Sequence, residues 1–139
     1  TDLPVEGRVF VSVHDADKET ILPVVEALQE RGFSIAATRG TAEFLFRKGL
    51  FAEVILKVQE GHPNILDHLE AGRIQLVINT PLGRFTQRDD DYIRIEALRR
   101  GVPCTTTTSA AEAAVEGISH LLGKRTVPRA LPGAGAASV

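Results

Sequence analysis

At 139 residues with a net charge of −2, the chain has the size of one domain plus a tail, and its charge argues against general affinity for nucleic acid. No apolar run approaches the roughly 20 residues a bilayer-spanning helix needs, and no secretory signal is visible. The single Cys104 excludes an internal disulfide and fits a reducing, cytosolic setting, and the dispersed His14, His62, His68 and His120 make a metal site unexpected.

The body alternates β-rich runs with helical patterns, which predicts a parallel sheet covered by helices on both faces. The first strand is expected at Arg8–Val13, almost continuously apolar. A helix follows with Ile21, Val25 and Leu28 on one face, starting near Thr20 with Pro23 in its first turn and ending before Gly32. The second strand is expected at Phe33–Ala37, and its helix from near Thr41 to Lys48. A third strand over Glu53–Val58 leads through the turn residues 60–64 to a short helix around Ile65, Leu66 and Leu69. The fourth strand is read at Ile74–Asn79, followed by an irregular loop, Thr80–Asp90, and a helix over Asp91–Arg100. A brief fifth strand at Cys104–Thr107 feeds a last helix, Ser109–Leu122.

All 18 acidic residues precede Gly117, and the stretch Thr126–Val139 is rich in Ala, Gly and Pro without a period. Residues 1–122 are therefore read as the folded domain and 123–139 as a flexible tail. The chain has no methionine, even at position 1, so an initiator has been removed or the chain is a piece of a longer protein.

In open parallel sheets, ligands bind beyond the carboxyl ends of the strands where strand order reverses. The turns expected there, at 14–18, 38–41, 57–63, 79–83 and 105–109, concentrate hydroxyls, amides and lysines that the strands lack. Thr38, Gly40 and Thr41 open a helix, whose N-terminus offers unpaired N–H donors and a partial positive charge to an anion. With Lys18 they suit a phosphate; equally, Lys18 is a solvated residue entering a helix and the two threonines are caps. Gly40 serves either a close backbone approach or a left-handed conformation. Asn79 and Thr80 end the fourth strand, where the amide would read a base or ribose, or form a turn before Pro81. Lys57, in an otherwise apolar strand, favours the mouth of a pocket. Among the acids, Asp15, Asp17 and the run Asp89, Asp90 and Asp91 offer general bases, the run reading better as a solvated first turn of a helix. No P-loop and no dinucleotide glycine pattern is present.

The first strand followed by Asp17 and Lys18, then Gly32, Phe33 and residues 37–42, resembles the methylglyoxal-synthase-like domain. The segments 57–65 and 77–81 are similar to the C-terminal regulatory domain of the large subunit of carbamoyl-phosphate synthetase, and the likeness covers about Gly7 to Leu122. This resemblance implies an α/β, three-layer, flavodoxin-like fold with five mostly parallel strands. It implies allosteric control of a parent enzyme that makes carbamoyl phosphate from glutamine, bicarbonate and ATP for pyrimidine and arginine synthesis, with ATP and magnesium used elsewhere and no cofactor in this domain. The effector is implied to be a nucleotide monophosphate of the UMP or IMP class. Its phosphate would meet Ser12, Lys18, Thr38, Gly40 and Thr41, and its sugar and base Lys57, Asn79 and Thr80. Thr106 falls where some relatives contact ornithine at a domain junction, and Pro81 stands where some carry threonine. Expected partners are the catalytic domains, the glutaminase small subunit and a second copy of the chain.

Two other readings stand beside it. Methylglyoxal synthase acts on dihydroxyacetone phosphate and needs a carboxylate base at the turn after the third strand, where this chain has Glu60, Gly61 and His62. A module that binds nothing and serves only docking or oligomerisation is the other.

Overall fold

The computed structural model describes residues 3–80 and 87–130. Strand β1 (Arg8–Ser12) lies at the centre of a five-stranded sheet of order β3-β2-β1-β4-β5, with β2 (Ser34–Ala37), β3 (Glu53–Val54), β4 (Leu76–Asn79) and β5 (Cys104–Thr105). Every pairing is parallel, so the sheet is wholly rather than mostly so. The chain winds outward from β1 through β2 to β3, then returns to the other side of β1 for β4 and β5. The switch point is therefore the cleft between β1 and β4.

Alternation along β1 explains its unbroken apolar run. Val9, Val11 and Val13 enter one core with α1 (Lys18–Glu30), α2 (Arg39–Arg47) and α5 (Thr108–Ala130). Phe10 enters the opposite core with α3 (Ile65–Glu70) and α4 (Gln87–Arg99). Both faces are thus covered, giving three layers. Full burial of side chains such as Phe10, Ile21, Leu28 and Leu45 stabilises the domain by about 1.5–3 kcal/mol each. Among the described residues, no helix is long and apolar enough to cross a membrane.

Several boundaries differ from expectation. Helix α1 begins at Lys18, after a 3-10 turn at Asp15–Asp17, so Pro23 lies in its second turn rather than its first. Strand β3 shrinks to Glu53–Val54 at the sheet edge, and Lys57 stands beyond it, entering a 3-10 turn at Val58–Glu60. The reason is that β3 has one strand neighbour among the described residues: after Ile55 donates its N–H to Ala37 O at 2.8 Å the pairing with β2 ends, and Leu56 instead forms an isolated parallel bridge with Asn64. Helix α4 starts at Gln87, before the expected Asp91. Helix α5 passes Leu122 and reaches Ala130, so residues 123–130, assigned to the tail from sequence, are helical. Gly123 is not among the glycines with positive φ, and a helical glycine costs only about 1 kcal/mol relative to alanine, too little to end a helix that long. Residues 131–139 of the expected tail lie outside the described residues.

Candidate functional site

The register of the sheet sets the site. Ser12, the last residue of β1, is paired with Asn79 of β4, and Val11 is paired with Ala37, which puts Thr38 beside Ser12 on the other side. Ser12 shares the face of Phe10, and both look into a pocket of about 230 Å³ at the β1/β4 switch point. The pocket is lined by Ser12, Lys18, Thr38, Gly40, Thr41, Lys57 and Thr80, residues drawn from segments far apart in the chain. Its apolar wall is Phe10, Val58, Ile65 and Ile93, and Gln59, His14, Asp15 and Asp90 complete the polar lining.

One end is built from α2. Thr38 is the N-cap of this helix, with an extended backbone, but its side chain makes no capping bond. The first-turn amides are thus not taken by the cap, in contrast to the capping alternative left open by sequence. The Thr38 hydroxyl lies instead 3.4 Å from Ser12 Oγ and 3.3 Å from Thr41 Oγ1. Thr41 Oγ1 in turn accepts from Val13 N at 3.3 Å and lies 3.4 Å from Val13 O, tying the start of α2 to the end of β1. Thr38 and Thr41 are both buried.

Lys18 stands over this end. A Cβ placed on Gly40 would lie only 3.6 Å from Lys18 Nζ, so the ammonium and the α2 N-terminus face one small volume. Gly40 is helical and is not among the positive-φ glycines, which selects close approach over the left-handed alternative. Two positive sources, a full charge and a helix dipole, converge there. Lys18 Nζ donates to Asp15 Oδ1 at 2.6 Å, and that hydrogen bond holds the Asp15 carboxyl below its ordinary range.

The remaining expected residues fall in different places. Thr80 is buried; its N–H donates to Ser12 O at 3.0 Å and its Oγ1 accepts from His14 N at 3.2 Å, so it fixes the rim. Lys57 is exposed at the mouth, with its N–H donating to Glu60 Oε1 at 2.8 Å. It lies beyond an edge strand, so the argument from a lysine inside an apolar strand does not hold. Asn79 is buried and does not line the pocket: its Nδ2 donates to Asp90 Oδ1 at 3.1 Å. Asn79 thus reaches the pocket wall only through Asp90, whose carboxylate it holds. Thr106 follows β5 and is not part of the pocket lining. Pro81 lies outside the described residues.

Asp90 is the residue sequence reasoning misassigned, as one of three solvated acids. The available signal was helical spacing. Asp90, Ile93 and Ala97 fall at i, i+3 and i+7, and the last two are buried, so Asp90 heads the inward face of α4. His62, at the turn where a lyase would carry its base, does not line the pocket; its Nδ1 lies 2.7 Å from Asp67 Oδ2.

With the geometry established, comparison with known proteins assigns the family. The sequence profile of the MGS-like domain matches residues 20–106, which include Thr38, Gly40, Thr41, Lys57, Asn79, Thr80 and Thr106. The chain belongs to the MGS-like domain family. Its relatives include the carbamoyl phosphate synthase large chain of Acidobacterium capsulatum, 47% identical over 117 residues, covering 84% of this chain and 11% of the relative. The C-terminal section of the Methanopyrus kandleri large chain is 48% identical over 118 residues, covering 84% of this chain and 22% of that section. This MGS-like domain thus spans a small part of the length of the relatives it matches. Among solved structures, methylglyoxal synthase from Elizabethkingia anophelis superposes with a TM-score of 0.64 over 81% of this chain and 79% of that one, at 16% identity. That likeness supports the MGS-like fold alone.

Proposed function

We propose that this MGS-like domain is the effector-binding regulatory part of a cytoplasmic carbamoyl phosphate synthase large chain, and that its pocket takes a nucleotide monophosphate. The observation that carries the reading is the convergence of Lys18 Nζ with the uncapped first turn of α2 at Gly40, backed by the Ser12, Thr38 and Thr41 hydroxyls. A phosphate placed there meets a cation, backbone amides and hydroxyls together. Lys57 and Asp90 stand where a sugar and base would extend, the carboxylate offering an acceptor to hydroxyl or amino groups. In this reading ATP and magnesium act in the catalytic domains of the parent enzyme, and its glutaminase small subunit is a further partner. The effector changes parent activity only by the difference in its affinity for two arrangements of that enzyme.

The lyase reading requires a base within the same pocket. Asp15 is held in its ionised form by Lys18, which makes it a weak base, and Asp90 is the carboxylate that favours this alternative. Calorimetric titration of the chain with UMP, IMP and dihydroxyacetone phosphate, with methylglyoxal release assayed in parallel, separates the two. Saturable nucleotide binding without turnover supports the regulatory reading. Release of methylglyoxal overturns it.

A further inference from the structure

The pocket has two unlike ends. Lys18 and Gly40 stand at the start of α1 and α2, helices that cover one face of the sheet. Phe10, Ile65 and Ile93 belong to the core on the opposite face, and they wall the other end. The cavity of about 230 Å³ thus crosses the edge of the sheet from one layer to the other. Asp90 lies one turn before Ile93 on α4, which brings its carboxylate to the apolar end. A carboxylate among apolar side chains is unfavourable unless it is hydrogen-bonded. Asn79, buried at the end of β4, supplies one such bond: its Nδ2 donates to Asp90 Oδ1 at 3.1 Å and fixes the group against the sheet.

That arrangement discriminates among ligands. An ionised carboxylate only accepts, through two oxygens with about four lone-pair sites, so the bond from Asn79 does not saturate it. Its fork best matches two donors side by side, and it repels a group that turns lone pairs toward it. Among the parts of a nucleotide, a guanine edge presents an N–H and an NH2 together, and a ribose presents two neighbouring hydroxyls. Hypoxanthine has one N–H beside a carbonyl, and uracil has one N–H between two carbonyls. We infer that Asp90 is the specificity-determining residue of this pocket. It selects phosphate-bearing ligands that carry an adjacent pair of hydrogen-bond donors at the end remote from the phosphate. The inference rests on the phosphate reading of the Lys18 end and adds to it the rank order of the ligands.

Calorimetric titration of the 139-residue chain with GMP, IMP, UMP and 2′-deoxy-GMP tests this, in the wild type and in Asp90→Asn. The variant keeps an oxygen for the Asn79 amide but replaces the second acceptor by a donor. Loss of a negative charge strengthens the binding of every anion, so the readout is the ratio between ligands in one protein. A guanine contact predicts that GMP binds the wild type at least about tenfold more tightly than IMP, with the ratio falling to about threefold or less in the variant. A ribose contact predicts the same tenfold gap between GMP and its 2′-deoxy form, again closed by the variant. Either pattern supports the inference and identifies the source of the donor pair. Retained UMP binding shows that the variant is folded, and Asp90→Ser, which removes the carboxylate altogether, is expected to close the same gap. Nucleotides that bind with ratios unchanged by both substitutions overturn this inference and leave the phosphate reading standing. A wild type that binds none of the four overturns both.

Discussion

Lys18 and Asp15 hold each other at 2.6 Å at the mouth of the pocket, the lysine side chain 17% exposed and the aspartate 93%. The lysine is therefore committed to the site while its partner lies in water, and an incoming anion must share the ammonium with an existing carboxylate. Asp15→Asn removes that competitor. Phosphate-bearing ligands are expected to bind up to about fivefold more tightly, the upper range for an exposed ion pair. Titration of UMP into both proteins at one fixed salt concentration checks this, and weaker binding by the variant would mean that Asp15 serves to position Lys18.

Gly40→Ala should move stability and binding in opposite directions. The backbone there is helical, and the added methyl group would make ordinary van der Waals contact with Lys18 Nζ at 3.6 Å. Alanine is the better helix former, so stability should be unchanged or rise by up to about 1 kcal/mol. The methyl nevertheless fills the volume between the ammonium and the α2 amides, and phosphate-ligand affinity is expected to fall by about tenfold or more. Thermal melts and titrations on the same samples read both effects.

Thr41→Val is a poor probe of binding alone. The Thr41 hydroxyl accepts from the buried backbone N–H of Val13, and valine leaves that donor without its partner. Urea unfolding is expected to show a loss of about 1–3 kcal/mol. Thr41→Ser, which keeps the oxygen, should lose less.

Much of this domain was legible in the chain. The five strands and their helices followed from alternation of apolar runs with turn chemistry, because strands buried on both faces and amphipathic helices leave different periods. The polar turns pointed to the carboxyl edge of the sheet, and Ser12, Lys18, Thr38, Gly40 and Thr41 line one pocket there. What sequence did not reveal depends on contacts between segments. Asn79 looks the same whether it faces a ligand or orients Asp90, and only the packing of α4 against β4 decides. Lys57 reaches the mouth as expected, but not from within β3, which is shorter than its apolar run suggests; strand length at a sheet edge is set by its neighbour.

His68 gives a prediction on pH. It is buried on α3, its Nδ1 has no hydrogen-bond partner among the described residues, and Arg73, Glu53, Arg8 and Asp67 surround it. Burial chiefly, with help from Arg73 and Arg8, lowers its pKa from the ordinary 6.5, against the opposing pull of Glu53 and Asp67. The unfolded chain therefore takes up a proton near pH 6.5 that the folded chain refuses until lower pH. Its contribution to stability is complete above 6.5 and is lost as pH falls through the lowered folded value. The urea midpoint should fall between about pH 7.5 and about pH 5, and His68→Leu should flatten that limb. An identical slope in the variant would assign the acid sensitivity to other groups.

The central claim is that Lys18 and the start of α2 hold a phosphate. The most direct measurement is the affinity of UMP for the wild-type chain and for Lys18→Ala, by calorimetry under identical conditions. Saturable one-to-one binding by the wild type, weakened by about tenfold or more in the variant, is the expected result, since a hydrogen bond to a charged group contributes about 1.5–3 kcal/mol. Binding unchanged by Lys18→Ala would contradict the account.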